Sequence, residues 1–160
     1  MTKIRVTVLY GGRSAEHEIS CRSAAFVIKS LDPQKYDIHA IAIDKKGQWF
    51  LQNTAMLLEA AQEPKATLSV TAAPTNLITA ERQSLEEHRD HVIIPVIHGT
   101  NGEDGSLQGM LDMAEVAYVG SDTLGSAIGM DKIVAKKLAA AEGVPVVPYL
   151  EMKGQFWAEH

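Results

Sequence analysis

Short apolar segments alternate with helical apolar patterns along this chain, an order typical of α/β domains. Ile4 to Tyr10 alternates apolar and polar positions and predicts a first strand. Apolar residues at helical spacing then predict a helix that stops at Asp32-Pro33: Ala24, Val27, Ile28 and Leu31. Tyr36 to Asp44 predicts a second strand, and Gln48 to Leu51 a hairpin partner or added edge strand. The start of the chain therefore predicts an open, mostly parallel sheet flanked by helices.

The middle of the chain is less regular. Thr54 to Gln62 predicts a short helix, whereas residues 63–89, with scattered prolines, predict loops and one or two brief strands. Val92 to Ile97 predicts a buried strand. Its Pro95 has no N–H, which argues against a central strand unless that missing donor falls at a position that the sheet tolerates.

The last third predicts the beginning of a second unit. Val116 to Val119 predicts a short strand, and Gly120 to Gly125 a turn that leads into a helix. A helix is predicted from about Asp131 to Glu142, ended by Gly143, and a new strand from Val144 to Leu150. We therefore place a domain boundary near Met130, giving one domain over 1–130 and an incomplete one over 131–160.

Two polar, glycine-rich segments follow predicted strands. His98 to Gly109 follows Val92 to Ile97, and Gly11 to Ser20 follows the first strand. Ligands of open α/β sheets bind beyond the carboxyl ends of the strands, so Glu16 and His98 are expected at one such edge. With Ser14 as the helix N-cap, the helix N-terminus suits a carboxylate or phosphate. A carboxylate and an imidazole there could bind both ends of an amino acid.

Each of these residues also has a purely structural interpretation. Glu16 taken alone is a first-turn carboxylate that interacts with the helix dipole, and Asp104 a residue at a helix start. His17, Glu18, Arg13 and Glu103 are expected to hold the loops by hydrogen bonds. Cys21, the single cysteine, is expected to be a small core or helix-face residue, and with one cysteine no internal disulfide can form.

Motifs and composition exclude several classes of function. Neither Gly11 nor Gly12 starts a complete G-x-G-x-x-G, which leaves NAD binding a weak alternative, and no P-loop is present. A net charge of −5 argues against nucleic acid or an anionic membrane as partner. No signal peptide or membrane span is visible, and the composition, 46% hydrophobic, is that of a soluble protein. Its single cysteine predicts a cytoplasmic location.

The motifs together resemble those of D-alanine–D-alanine ligases, of the ATP-grasp superfamily. The matching segments span nearly the whole chain: Gly11-Gly12-x-Ser14-x-Glu16-His17-Glu18-x-Ser20, His98 to Gly109, Tyr118-Val119-Gly120-Ser121 and Ser126-Ala127-x-x-Met130-Asp131-Lys132. The His98 to Gly109 pattern is long and specific, whereas Met-Asp-Lys alone recurs across many ATP-grasp proteins. The resemblance implies a Rossmann-like pre-ATP-grasp domain for substrate binding and dimerisation, followed by the start of the central ATP-grasp domain.

The resemblance also implies a reaction and a set of roles. ATP phosphorylates the carboxylate of one D-alanine, and the amine of a second D-alanine attacks the acylphosphate, in peptidoglycan synthesis. Glu16 binds the ammonium of the first D-alanine and His98 lies beside its carboxylate, so both are expected to be catalytic residues. Gly99 is expected to contribute to substrate binding, and Lys132 reaches the nucleotide phosphates. The family's magnesium ligands and its remaining ATP-binding residues lie after residue 160, so no metal ligand is assigned here.

Two other functions stay open at this point. The chain could be a non-catalytic module that dimerises and binds an amino acid weakly. It could also belong to a ligase that joins D-alanine to D-lactate or D-serine, because the second substrate is selected by later residues. In either case the 160-residue chain alone is expected to be inactive.

Overall fold

The computed structural model describes residues 3–63, 65–70, 74–75 and 91–152. Its strands are β1 (Ile4–Gly11), β2 (Tyr36–Ile43), β3 (Trp49–Leu51), β4 (Pro74–Thr75) and β5 (His91–Pro95). Its helices are α1 (His17–Ser30), α2 (Thr54–Ala60), α3 (Ser106–Met113), α4 (Thr123–Met130) and α5 (Lys132–Ala141). The order along the chain is that of an α/β domain, as predicted.

These strands form one mixed sheet in the order β4-β3-β2-β1-β5. Strands β2 and β5 both run parallel to β1, while β3 is antiparallel to β2 and β4 antiparallel to β3. The open, mostly parallel sheet and the hairpin formed by Gln48 to Leu51 are therefore confirmed. Because β1 and β5 are adjacent and parallel, their carboxyl ends lie at the same edge of the sheet, and the loops that follow them leave it side by side.

Apolar cores cover both faces of this sheet. Alternate residues of β1, Val6, Val8 and Tyr10, pack with α1 and α2 on one face. Leu9 points to the other face, where Leu107 and Leu111 of α3 pack. Cys21 is buried in the first core, and this burial raises the pKa of its thiol to about 11. The predicted structural role of Cys21 is confirmed.

Pro95 ends β5 at a tolerant position. Val96 donates its N–H to Leu9 of β1, so the nitrogen of Pro95, one residue earlier, faces away from β1. On that outer side Ile93 exchanges both backbone hydrogen bonds with the segment around Tyr118. The next donor toward this segment would be Pro95, which has no N–H. Pairing therefore stops after one bridge, and the prediction of a strand over Val116 to Val119 is wrong in extent.

The strand predicted over Val144 to Leu150 is also not formed. Helix α5 ends as expected, with Gly143 at a φ of +74°, but the following residues up to 152 are irregular. Val147 is 74% exposed and Leu150 92% exposed, and no described strand pairs with them. An apolar run forms a strand only where a neighbouring strand accepts its hydrogen bonds. Residues 153–160 lie outside the described residues, as does most of 63–89, where β4 is the brief strand described.

No helix in the described ranges is long and apolar enough to cross a membrane.

Candidate functional site

The loops after β1 and β5 are tied together at two points. Ser14 donates its hydroxyl hydrogen to the carbonyl oxygen of His98 at 2.7 Å. Ser20, which is fully buried in the first turn of α1, accepts a hydrogen bond from the Gly11 N–H at 2.7 Å and donates to the Val96 carbonyl. The two loops predicted to meet at one edge therefore form one connected surface.

Helix α1 begins later than the sequence predicts. Its N-cap is Glu16, whose side chain makes no capping hydrogen bond, so the prediction of Ser14 as N-cap is wrong. The Ser14 hydroxyl accepts from the Glu16 N–H at 3.1 Å, and its hydrogen is directed to His98. His17 is buried and its Nδ1 donates to the Gly12 carbonyl at 2.8 Å. Its loop-holding role is confirmed.

The carboxylate of Glu16 lies over Gly99. A Cβ added to Gly99 would be 3.2 Å from Oε2 of Glu16 and 3.3 Å from Cβ of Ser14, and the φ of Gly99 is +75°. A side chain at residue 99 would therefore be strained and would crowd this carboxylate. Glu16 is exposed, and within the described part of the chain its carboxylate has no hydrogen-bond or ion-pair partner. It remains available to a ligand.

Carboxylates hold the second loop from within. Glu103 accepts the Gly99 N–H on Oε2 at 2.8 Å, which confirms its loop-holding role. Asp104 accepts the N–H groups of Asn101 at 2.8 Å and Ser106 at 3.0 Å, the latter at the start of α3. Burial alone would raise the pKa of Asp104, but these backbone donors outweigh it and hold the pKa below its usual value. The loop is therefore preorganised rather than dependent on a ligand for its shape.

His98 is held between two elements. Its Nε2 lies 3.1 Å from the Ser23 hydroxyl of α1, and its Nδ1 lies 3.8 Å from Oε1 of Glu103. The side chain is 33% exposed, so part of the ring remains open to solvent. Sequence reasoning missed Ser23. A signal existed, because Glu16, the N-cap of α1, and Ser20 and Ser23 within the helix recur at helical spacing.

His98 and Lys132 line the same cavity, of about 570 Å³. This volume lies within the range of small-molecule sites. Besides these two residues, its walls come from α1, the end of β5, the second loop and helices α3 and α4: Ser23, Pro95, Val96, Ile97, Gly102, Glu103, Gln108, Val119, Gly120, Ser121, Gly125, Ser126, Gly129 and Met130. Glu16 is not part of these walls. It lies beside the cavity, over Gly99.

Gln108 is a buried polar residue in the cavity wall that was not predicted to have a role. Its Nε2 donates to the Gly102 carbonyl at 2.8 Å, which fixes the second loop to α3. Its Oε1 is buried and has no hydrogen-bond donor among the described residues. An unused buried acceptor is costly in a folded protein. Gln108 therefore contributes a polar group to this wall of the cavity.

Lys132 is the first residue of α5. Asp131 ends α4 and caps α5, accepting the N–H groups of Ile133 at 2.9 Å and Val134 at 3.0 Å. Lys132 is exposed, and its ammonium has no partner in the ranges that the structure describes. The cavity thus combines an imidazole with a free cation, and a free carboxylate lies beside it. In the described ranges no group of three His, Cys, Asp or Glu residues is arranged to hold a metal ion.

Comparison with known proteins identifies the family. Residues 5–121 match the family model described as the D-ala D-ala ligase N-terminus. The chain belongs to this family. The match covers the sheet, helices α1 to α3 and both site loops, and it ends just before α4.

Curated relatives extend the similarity over nearly the whole chain. A D-alanine–D-alanine ligase of Methylobacterium sp. (strain 4-46) is 46% identical over 153 residues, which are 91% of this chain and 39% of the relative. One of Bradyrhizobium sp. (strain ORS 278) is 43% identical over 157 residues, 94% of this chain and 43% of the relative. The chain therefore spans less than half the length of these relatives.

Solved structures show the same fold. A D-alanine-D-alanine ligase from Coxiella burnetii superposes with a TM-score of 0.71 at 29% identity, covering 99% of this chain and 49% of that one. The VanG D-Ala:D-Ser ligase from Enterococcus faecalis superposes with a TM-score of 0.68 at 28% identity, covering 99% of this chain and 47% of that one. The Rossmann-like architecture of the family is thus confirmed for this chain.

Proposed function

We propose that this chain is the N-terminal part of an ATP-dependent D-alanine–D-alanine ligase and carries the binding site for the first D-alanine. One observation carries the proposal: the two family loops meet at a single sheet edge, joined by the Ser14 to His98 hydrogen bond, beside a cavity of about 570 Å³. The relatives' names support the substrate. Production of peptidoglycan precursor in the cytoplasm is part of this proposal.

The charges support an amino acid as ligand. The free carboxylate of Glu16 can bind an ammonium, while His98 can donate to a carboxylate when its ring is turned toward the cavity. Gly99 lies under the Glu16 carboxylate and leaves room where a Cβ would crowd it. A zwitterion bound in this way would be held at both ends, which fixes the carboxylate for phosphorylation.

Lys132 suits the nucleotide. Its exposed, unpaired ammonium on the cavity wall can pair with phosphate oxygens, so the residues present fit one part of an ATP site. Magnesium, which ATP brings in this family, would neutralise phosphate charge. No described cluster of residues fits a magnesium site, so we assign no ligand for the ion to this chain.

The pattern of burial supports a division into two domains. We propose that residues 1–130 form the substrate-binding and dimerisation domain and that 131–160 begin the central ATP-grasp domain. Helix α5 buries none of its residues, and the irregular segment after it leaves apolar side chains exposed, as expected of a unit whose other parts lie elsewhere. A homodimer is supported by Ile19 and Phe26, two exposed apolar residues seven positions apart on α1. Sedimentation at several concentrations tests it, and a strictly monomeric species would refute dimerisation.

Substitution of Glu16 tests the substrate site. In a longer protein that contains this chain and the remainder of the ligase, Glu16→Gln should weaken binding of the first D-alanine by about 2–5 kcal/mol, because a charge pair desolvated by the bound ligand loses one partner. ATP affinity should change little. Isothermal titration with each ligand separates the two effects.

Glu18→Gln is the matched control. Glu18 lies in the same turn but pairs with Lys45, away from Gly99, so its substitution should leave D-alanine binding unchanged. Equal losses for D-alanine and ATP in Glu16→Gln, or a lower melting temperature without a binding defect, would indicate a helix-terminus role instead. The 160-residue chain alone should release no D-alanine-dependent phosphate from ATP.

A ligase that joins D-alanine to D-serine is the second candidate. The likeness to the VanG D-Ala:D-Ser ligase, at a TM-score close to that of the Coxiella burnetii enzyme, favours keeping it. Comparing D-alanine, D-serine and D-lactate as second substrate in the longer protein decides between them. Preference for D-alanine would support the first proposal.

A further inference from the structure

A second cavity, of about 270 Å³, lies at the same sheet edge but on the other face of the second loop. Its lining includes Arg13, Trp49, Asn101 and Met110, none of which lines the His98 cavity. Thr100 and Asn101 of the loop face this second cavity, whereas His98, Gly102 and Glu103 face the first. The two cavities are therefore separated by one short stretch of backbone.

One side of this second cavity is apolar. Ile43, Ile97 and Leu107 are buried members of the core beneath α3, and the cavity opens above them. Trp49 packs against the same core and is half-buried. Met110, on the next turn of α3, is 37% exposed. Together these side chains offer a surface for an apolar body about the size of one aromatic ring.

The polar side is cationic. Arg13 lies with its aliphatic stem against Gly47, where an added Cβ would be 2.9 Å from Cδ of Arg13. We expected Arg13 to hold its loop by hydrogen bonds, but its guanidinium makes none in the described part of the chain, so that expectation is wrong. No acidic side chain among the described residues lines the cavity. An unpaired guanidinium in a cavity without carboxylates favours an anion, despite the net charge of −5.

We propose that this second cavity binds a small organic carboxylate with an apolar body. The carboxylate pairs with the Arg13 guanidinium, and the body packs between Trp49 and Met110 over the apolar floor. This site goes beyond the proposed function, because it requires neither Glu16, His98 nor Lys132. A ligand bound there contacts Thr100 and Asn101, the reverse side of the loop that carries His98.

Fluorescence of Trp49 tests the proposal. Trp157→Phe leaves Trp49 as the single tryptophan of the 160-residue chain. Titration with 3-phenylpropionate should give a saturable change in emission, and its neutral amide, 3-phenylpropionamide, should bind at least tenfold more weakly. Arg13→Gln should weaken binding of the acid at least tenfold and leave the amide unchanged. Arg22→Gln, an exposed arginine of α1 outside the cavity, is the matched control and should have no effect.

A second variant and a folding measurement separate loss of binding from loss of folding. Met110→Ala should weaken the acid and the amide alike, since it removes apolar contact and not charge, and far-ultraviolet circular dichroism should be unchanged in every variant used. Equal binding of acid and amide, no saturable change up to 10 mM, or an unchanged affinity in Arg13→Gln would overturn the proposal. Loss of binding in a longer ligase would also overturn it, because the cavity would then be filled by another part of that longer chain. Glu16→Gln should leave this titration unchanged, so failure of the proposed function is measured separately.

Discussion

Replacing Ser20 with alanine should destabilise the fold more than its small size suggests. The Ser20 hydroxyl links the end of β1 to the residue that follows β5: it accepts from the Gly11 N–H and donates to the Val96 carbonyl. The residue is fully buried. Ser20→Ala removes both hydrogen bonds and leaves one backbone donor and one acceptor without a partner.

The magnitude is set by those two orphaned groups. Each buried group left unsatisfied costs about 1–3 kcal/mol. Some relaxation of the loops toward solvent lowers the sum, so we expect a loss of about 2–4 kcal/mol in the free energy of unfolding. That is a large part of the roughly 5–15 kcal/mol that stabilises a typical domain.

Urea unfolding followed by circular dichroism measures this loss. Ser30→Ala on the same helix is the control, because its hydroxyl is exposed and bonds only to the Phe26 carbonyl one turn earlier. It should change stability by no more than about 0.5 kcal/mol. A loss below about 1 kcal/mol in Ser20→Ala would refute the reasoning, since the two backbone groups would then be satisfied without the hydroxyl.

Three further predictions concern the second loop and the end of the chain. Gly102→Ala should lower the free energy of unfolding by roughly 1–3 kcal/mol, because its Cβ would lie 2.3 Å from the Ile97 carbonyl oxygen. Gly129→Ala in α4 should stabilise the protein, because its Cβ would meet nothing within 4 Å. Thermal unfolding of both variants checks this. Asp104→Asn should destabilise by about 1 kcal/mol at pH 7. Because the folded pKa is lowered, this difference should shrink as the pH falls below about 4, as urea titrations at pH 7 and pH 3 would show. Amides of α5 should exchange with solvent much faster than those of β1, since α5 buries no residue; equal protection would contradict this.

Local patterns predicted the sheet and both loops. The alternation of β1, the glycines at its end and the hairpin after β2 each depend on a few neighbouring residues, and the structure reproduces them. The close approach of the Glu16 carboxylate to Gly99 depends on strands β1 and β5 being neighbours. The sequence predicted this by placing both loops at a common edge of the sheet. The predicted roles of Glu16, His98, Gly99 and Lys132 in binding remain predictions.

Errors arose where a distant partner decides the outcome. Ser14 has the side chain of a good N-cap, but its hydroxyl bonds to His98, 84 residues later, and α1 starts three residues after it. Val144 to Leu150 has the composition of a strand, yet strands need neighbours that no local pattern supplies. Ser23 was missed for the same reason: its contact with the His98 ring joins two elements far apart in the chain.

Asp131 is the single residue that joins helices α4 and α5, both of which contribute residues to the wall of the His98 cavity. A single extended residue both ends α4 and caps α5, so a change in its backbone angles turns one helix against the other. A 10-residue helix is about 15 Å long, so a rotation of about 10° moves its far end by about 2.6 Å. Lys132 lies beside the pivot and hardly moves. Any reorientation of the chain beyond α5 would therefore leave this ammonium in place on the wall of the His98 cavity while carrying more distant groups toward it or away from it.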